Sequence, residues 1–139
     1  RPGEAMLPRA VVRNYVGRLP ALTECLGQAR AIGSTVVAAG HCPAVDRVRL
    51  MFLVARAESL LRACEAGREA TAVSARRQVE LLASTVRSRV LGSGDVDIRA
   101  EDYYVTATQA IDGVFAWLRE DGELLRGALA RARDVEVAR

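Results

Sequence analysis

Pro20-Ala21-Leu22-Thr23-Glu24-Cys25-Leu26-Gly27-Gln28-Ala29-Arg30-Ala31-Ile32-Gly33-Ser34-Thr35-Val36-Val37-Ala38-Ala39-Gly40 is the stretch that decides the fold class. Its apolar residues Leu22, Leu26, Ala29, Ile32 (with Gly33) and Val36 recur at helical spacing, so one side of an α-helix faces a core. Pro20 opens the run and Gly40 closes it, the order that helix ends favour.

Upstream, Pro8 suits the first turn of a short helix, which Gly17 and Pro20 then break or kink, since proline lacks the amide donor and crowds the preceding turn. Downstream, Pro43 starts a helix with Asp46 in its first turn and Val48, Met51, Phe52, Ala55, Leu60 and Leu61 as its stripe, stopped at Gly67. The next helix carries Val73, Val79, Leu82, Val86 and Val90, and Gly92-Ser93-Gly94 end it. Asp97 reads as the N-cap of the last helix, with Glu101 and Asp102 at its positive end. Its stripe runs through Ile98, Tyr104, Ala107, Ile111, Val114 (with Phe115), Leu118, Leu125 and Leu129, while Gly113, Gly122 and Gly127 each weaken it by about 1 kcal/mol.

The expected helices are therefore 8–18, 20–39, 43–66, 69–91 and 97–133, with no hairpin signal. Short links make neighbours antiparallel, so the spacing predicts an all-α, up-down four-helix bundle with a kinked N-terminal helix and a long C-terminal one. The middle helices span ~33 Å and the last ~50 Å at 1.5 Å per residue. The end of the last helix should overhang the bundle, with the segment from Pro8 to Leu19 packed against it.

Composition agrees. A chain of 139 residues has room for one core, and 50% hydrophobic with 27% charged residues is enough to build it. Only 4% are aromatic, which favours helices packed on small side chains over a β-sandwich. All 20 basic residues are arginine, and against 17 acidic ones the net charge is +3. So small and interleaved a charge argues against a nucleic-acid arm or a polybasic membrane patch. The chain opens on Arg1 without a signal-peptide pattern and reads as one domain cut from a longer protein. Membrane contact is expected only through flanking segments, because no apolar run reaches the ~18 to 20 residues a span needs.

Catalytic chemistry finds little support. Cys25, Cys42 and Cys64 have neither disulfide nor metal-like spacing and read as buried or half-buried thiols. The lone histidine, His41, sits on the Gly40-His41-Cys42-Pro43 turn, where adjacency to Cys42 does not make a nucleophile pair. No catalytic residue, metal or cofactor is expected, and Gly92 and Gly94 follow a helix, which makes them a cap and not a phosphate loop.

Polar residues inside the stripes are more telling. Arg30 lies among Gly27, Ala29, Ala31 and Gly33, small enough to admit a close neighbour, with Thr23, Glu24, Gln28 and Ser34 nearby. Thr106, Thr108, Gln109 and Asp112 stand likewise beside Ala107 and Ala110. Two readings remain open: Arg30 grips an anionic ligand with its planar fork, or it forms an interhelical salt bridge to Asp112 or Glu24 that fixes register. Arg76, Arg77, Glu120 and Glu123 read as a solvated face.

The run Leu19-Pro20-Ala21-Leu22-Thr23-Glu24-Cys25-Leu26-Gly27-Gln28-Ala29-Arg30, followed by Gly33 and later by Ala38-Ala39-Gly40, resembles a pattern in helical sensory domains of bacterial transmembrane receptors. Tyr103-Tyr104 followed by Ala107-Thr108-Gln109-Ala110-Ile111-Asp112 is similar to a second part of that pattern. The family comprises methyl-accepting chemotaxis receptors, sensor kinases and cyclic-di-GMP enzymes, and is distantly similar to nitrate-sensing domains. The resemblance implies a non-catalytic, periplasmic bundle of an inner-membrane protein that senses a small anion, an amino-acid-like molecule or a partner protein and relays the change through its last helix. It implies a homodimer, and it carries a ligand contact onto Arg30, with Thr23, Gln28, Thr108 and Asp112 as companions. The competing expectation is a stalk or adaptor bundle with no ligand.

Overall fold

The computed structural model describes residues 9–64, 69–92 and 94–138, so the readings that fall on Pro8, Gly67 and Ser93 lie outside the described residues. It is an all-α bundle. The elements are α1 (Arg9–Arg13), a π turn (Asn14–Arg18), α2 (Leu19–Ala39), α3 (Ala44–Ala63), α4 (Ala70–Thr85), a second π turn (Val86–Val90) and α5 (Ala100–Ala138). Among the described residues no strand occurs.

Gly17 and Pro20 do not break the first rod. Arg13, Arg18 and Leu19 all keep right-handed helical dihedrals, so α1, the π turn and α2 run on as one helix. The adjustment is local: the Leu19 amide reaches back five residues to the Asn14 carbonyl. Widening that turn accommodates a proline ring that would otherwise press on the carbonyl four residues earlier. Gly40, at φ 72°, ends α2 in the left-handed conformation, and its amide meets the Val36 and Val37 carbonyls.

The other boundaries shift modestly. α3 spans Ala44–Ala63 with Pro43 as an extended N-cap, and α4 passes into its π turn at Val86. Asp97 is not the N-cap of α5. Its backbone folds back on Arg89, whose Nε donates to the Asp97 carbonyl while the Asp97 amide donates to the Arg89 carbonyl. The first helical bond of α5 goes instead to the Arg99 carbonyl. The helix then runs unbroken for 39 residues, about 58 Å, through Gly113, Gly122 and Gly127.

α5 packs on α4 and α2, and α2 packs on α3, while α3 and α4 touch more sparsely. Close approach rests on small residues. Ala72 and Ala75 on α4 are fully buried, as are Ala107 and Ala110 on α5, and a methyl group on Gly113 would stand 3.2 Å from the Ala75 Cα. Where α5 outruns α4, it meets the first rod: Val11 and Ala128 are buried, and the Tyr15 ring lies against Gly122. That is the packing expected of the segment before Leu19.

The core differs from the sequence reading on one helix. α3 buries Leu50, Leu53, Val54, Ala57 and Leu61, and leaves Val48, Met51, Phe52 and Ala55 exposed. It is apolar on two opposite sides, and the helical spacing followed the outer one through Val48, Met51, Phe52 and Ala55, while Leu60 and Leu61 do pack inward as expected. Val73, Tyr104, Phe115 and Leu129 also face outward.

Candidate functional site

Arg30 is the residue on which both sequence readings turned. Its backbone lies midway along α2, flanked by Ala29 and Ala31, and its side chain crosses to α5. There Nη1 donates to the Thr108 hydroxyl at 3.0 Å, and the guanidinium carbon stands 5.0 Å from the centre of the Tyr104 ring. A guanidinium over an aromatic face gains from the ring quadrupole while its remaining donors stay free for another group. The arrangement is half-buried and ties α2 to α5.

One turn away the two helices interlock. Tyr103 is fully buried, and its hydroxyl donates to the Ala29 carbonyl at 2.7 Å. A Cβ on Gly33 would come within 2.0 Å of that hydroxyl, so the ring fits only because position 33 has no side chain. Burial drives the Tyr103 phenol well above its usual pKa and keeps it a donor.

The other companions of Arg30 lie elsewhere. The Thr23 hydroxyl donates to the Pro20 carbonyl at 2.7 Å, a bond within its own helix turn. Gln28 lies on the opposite flank of α2, facing α3. Asp112 is exposed one turn beyond Thr108, and among the described residues its carboxylate makes neither a hydrogen bond nor an ion pair. The salt bridge from Arg30 to Asp112 or Glu24 does not form. Of the five residues named from sequence, the structure brings Arg30 and Thr108 together.

Sequence reasoning passed over three features. The first is a groove along the α2–α3 seam, about 540 Å³ where Pro20, Glu24, Cys25 and Gln28 face Phe52 and Arg56. It continues past Phe52 into a smaller hollow of about 270 Å³ beside Ile32 and Arg49. The two-sided apolar pattern of α3 was the signal for it. The second is a polar hollow of about 190 Å³ around His41, Cys42, Arg47 and Asp95, closed on one side by the bond from Arg47 Nη1 to the Leu91 carbonyl.

The third is a buried polar cluster at the other end. Arg76 is no solvated residue: it donates to the Leu61 and Cys64 carbonyls at 3.0 and 2.5 Å and lies 5.1 Å from the Trp117 ring centre. It thereby adds side-chain donors to carbonyls at the end of α3, where the Leu61 carbonyl also accepts from the Cys64 amide. Nearby, Thr71 donates to Glu120 at 3.2 Å, so Glu120 too is engaged. Asp121 is 4% exposed, and its Oδ2 has no hydrogen-bond partner. Burial, with Glu69 and Glu120 close by, raises its pKa to about 6.

The thiols behave as small core groups. Cys25 and Cys64 are buried, Cys42 is half-buried, and all three are free. The Cys25 thiol donates to the Leu53 carbonyl at 3.0 Å. Burial raises all three pKa values, which keeps the thiols protonated at neutral pH and poor nucleophiles. Among the described residues no group of His, Cys, Asp and Glu side chains is arranged to hold a metal ion, and no helix is long and apolar enough to cross a membrane. Compared with protein-family models, curated proteins and solved structures, the chain matches none.

Proposed function

We propose that this chain is a non-catalytic sensory bundle, the periplasmic part of an inner-membrane receptor, which reads a small anionic or amino-acid-like ligand or a partner protein and passes the change along α5. The observation that carries this reading is the Arg30–Thr108–Tyr104 bridge between α2 and α5. It is a half-buried cation on a seam of small residues, with donors to spare, and its acceptor lies on the rod that extends furthest. A ligand carboxylate or oxyanion that took Arg30 from Thr108 would release one tie between the rods. A small shift of a packed helix is an established form of signal, provided the ligand binds one state more tightly than the other.

The test is a thermal-shift screen with nitrate, small carboxylates and amino acids. A true ligand at about 100 times its Kd adds roughly 2.7 kcal/mol of stability and raises the midpoint accordingly. Arg30→Ala should abolish that shift while leaving the helical circular-dichroism signal intact. If no compound in these classes moves the midpoint of the parent chain, the small-ligand form of the reading fails.

A second reading, a structural or interaction bundle without a ligand, is favoured by the outward apolar side of α3, where Val48 and Phe52 are 65% and 63% exposed. Such a side fits a protein surface better than a small molecule.

A further inference from the structure

We infer that the trough between α2 and α3 seats an acidic amphipathic helix of a partner protein, with Arg49 and Arg56 taking its carboxylates and Phe52 meeting its apolar side. The inference rests on the reading of α3 as an interaction surface and deepens it by naming the chemistry of the partner.

α2 and α3 lie antiparallel, and the trough runs along them. At one end Arg56 shares it with Pro20 and Glu24, and at the other Arg49 lies beside Gln28 and Ile32. The two hollows, about 540 and 270 Å³, have Gln28, Phe52 and Leu53 in common, so the trough is continuous. From Pro20 to Ile32 it runs about 18 Å, roughly three turns of a helix laid along it. Its floor is closed: Cys25 and Leu53 are buried, and the Cys25 thiol is already donated to the Leu53 carbonyl. Its α3 lip is apolar, with Val48, Met51 and Phe52 exposed. A small molecule would be poorly enclosed beside a Phe52 ring that is 63% exposed, whereas a helix lying in the trough covers that ring along its length.

Charge along the α3 lip selects the partner. Arg49, Phe52 and Arg56 follow the steps of one helix face, so the two arginines stand about 10 Å apart with the ring between them. Among the described residues neither arginine makes a hydrogen bond or an ion pair. Other arginines around α3 are engaged: Arg47 donates to the Leu91 carbonyl, Arg76 to the Leu61 and Cys64 carbonyls, and Arg87 holds both carboxylate oxygens of Glu58. The trough therefore keeps a pair of unmatched positive charges on one wall, against the single carboxylate of Glu24 on the other. A helix with an apolar stripe and two carboxylates seven residues apart on one flank matches that spacing, its acids toward α3 and away from Glu24. A nucleic-acid backbone or anionic lipid headgroups would meet the same arginines, but each calls for a broad basic surface, and this chain carries a net charge of only +3.

Fluorescence anisotropy on the full chain tests this with a labelled, side-chain-stapled peptide, alanine-based and about five helical turns long. It carries a leucine stripe and, beside it, two glutamates seven residues apart; a second peptide has lysines at those places and a third has glutamines. The chain should bind the glutamate peptide with a Kd on the order of 100 μM, the strength of a small interface, and the lysine peptide at least about tenfold more weakly. Phe52→Ser and the double variant Arg49→Glu/Arg56→Glu should each weaken the glutamate peptide about fivefold or more, and the double variant should prefer the lysine peptide instead. All three positions are exposed, and circular dichroism verifies that the variants fold. Equal binding of the glutamate and lysine peptides, or an unchanged preference in the double variant, overturns the inference; if the glutamine peptide then binds as well and still depends on Phe52, the interaction reading of α3 stands without it. No binding by any of the three peptides overturns both. Displacement of the peptide by phosphatidylglycerol vesicles or by single-stranded RNA, lost in the double variant, assigns the trough to a membrane or a nucleic acid and overturns the inference as well.

Discussion

Among the described glycines, position 33 is the most tightly enclosed. Adding a methyl there drives into the Tyr103 hydroxyl, which sits in a fully buried ring and cannot swing aside without losing its bond to the Ala29 carbonyl. Gly33→Ala is therefore expected to destabilise the fold by about 2 to 4 kcal/mol, the range of an overpacked core with a broken buried hydrogen bond. Gly27→Ala, two turns earlier with open space around its Cβ, should be neutral or gain up to about 1 kcal/mol from helix propensity. Urea denaturation of the two variants checks the contrast, and equal effects would contradict the interlock. Asp121 makes a residue-scale prediction of its own. Its pKa of about 6 lies above the ordinary carboxylate value, so the folded chain binds this proton more tightly than the unfolded one. The sign follows: this group favours folding below about pH 4, its contribution declines as pH rises from 4 to 6, and the loss is complete above that. Asp121→Asn should flatten that slope and stabilise the protein at pH 7.5 by something on the order of 2 kcal/mol. A pH series of thermal midpoints decides it, because a carboxylate with an unraised pKa would give no such slope.

At the scale of elements, the sequence was a better guide to where helices lie than to which side they bury. The α2 stripe was legible because its outward residues are small or polar, so only one apolar side exists: Leu22, Leu26, Ala29 and Val36 are all buried. α3 defeated the same rule, since Val48 and Phe52 lie opposite Leu50 and Leu53, and spacing alone cannot rank two apolar faces. Pro20 was read as a break or a kink, and of the two it is the local perturbation, because a widened turn absorbs the missing amide without ending the rod. Charged residues misled in another way. Arg76 looked solvated beside Arg77, but a long side chain can reach carbonyls at the end of a neighbouring helix, and no pattern within α4 reveals that reach. Arg76→Ala removes two charge-assisted bonds to the end of α3 together with the Trp117 stack, and should cost about 2 to 3 kcal/mol. Arg76→Lys keeps the charge without the fork and should recover less than half of that in thermal melts. Full recovery by lysine would show that the charge alone matters.

At the scale of the molecule, the candidate site was half legible for a physical reason. Arg30 and Thr108 were found because each is a polar residue in a run of small ones, a signal that survives without coordinates. Thr23, Gln28 and Asp112 were grouped with them by closeness in sequence, but successive helical residues point about 100° apart, so neighbours along a rod need not share a seam. The long last helix was the most reliable inference, and it divides in two. From Tyr103 to Asp121 nearly every inward position is buried against α2 and α4. Past Ala128 almost all described residues are exposed, and the rod depends on its own hydrogen bonds. An isolated helix of about ten residues is marginal in water, so this end should open locally far more often than the bundle unfolds. Amide hydrogen exchange should therefore show protection falling along α5, with residues 129–138 exchanging at least about a hundredfold faster than residues 107–117. If another molecule covers that end in solution, the gradient disappears. Uniform slow exchange to residue 138 in the pure protein would mean that the exposed end is packed against a second copy of the chain.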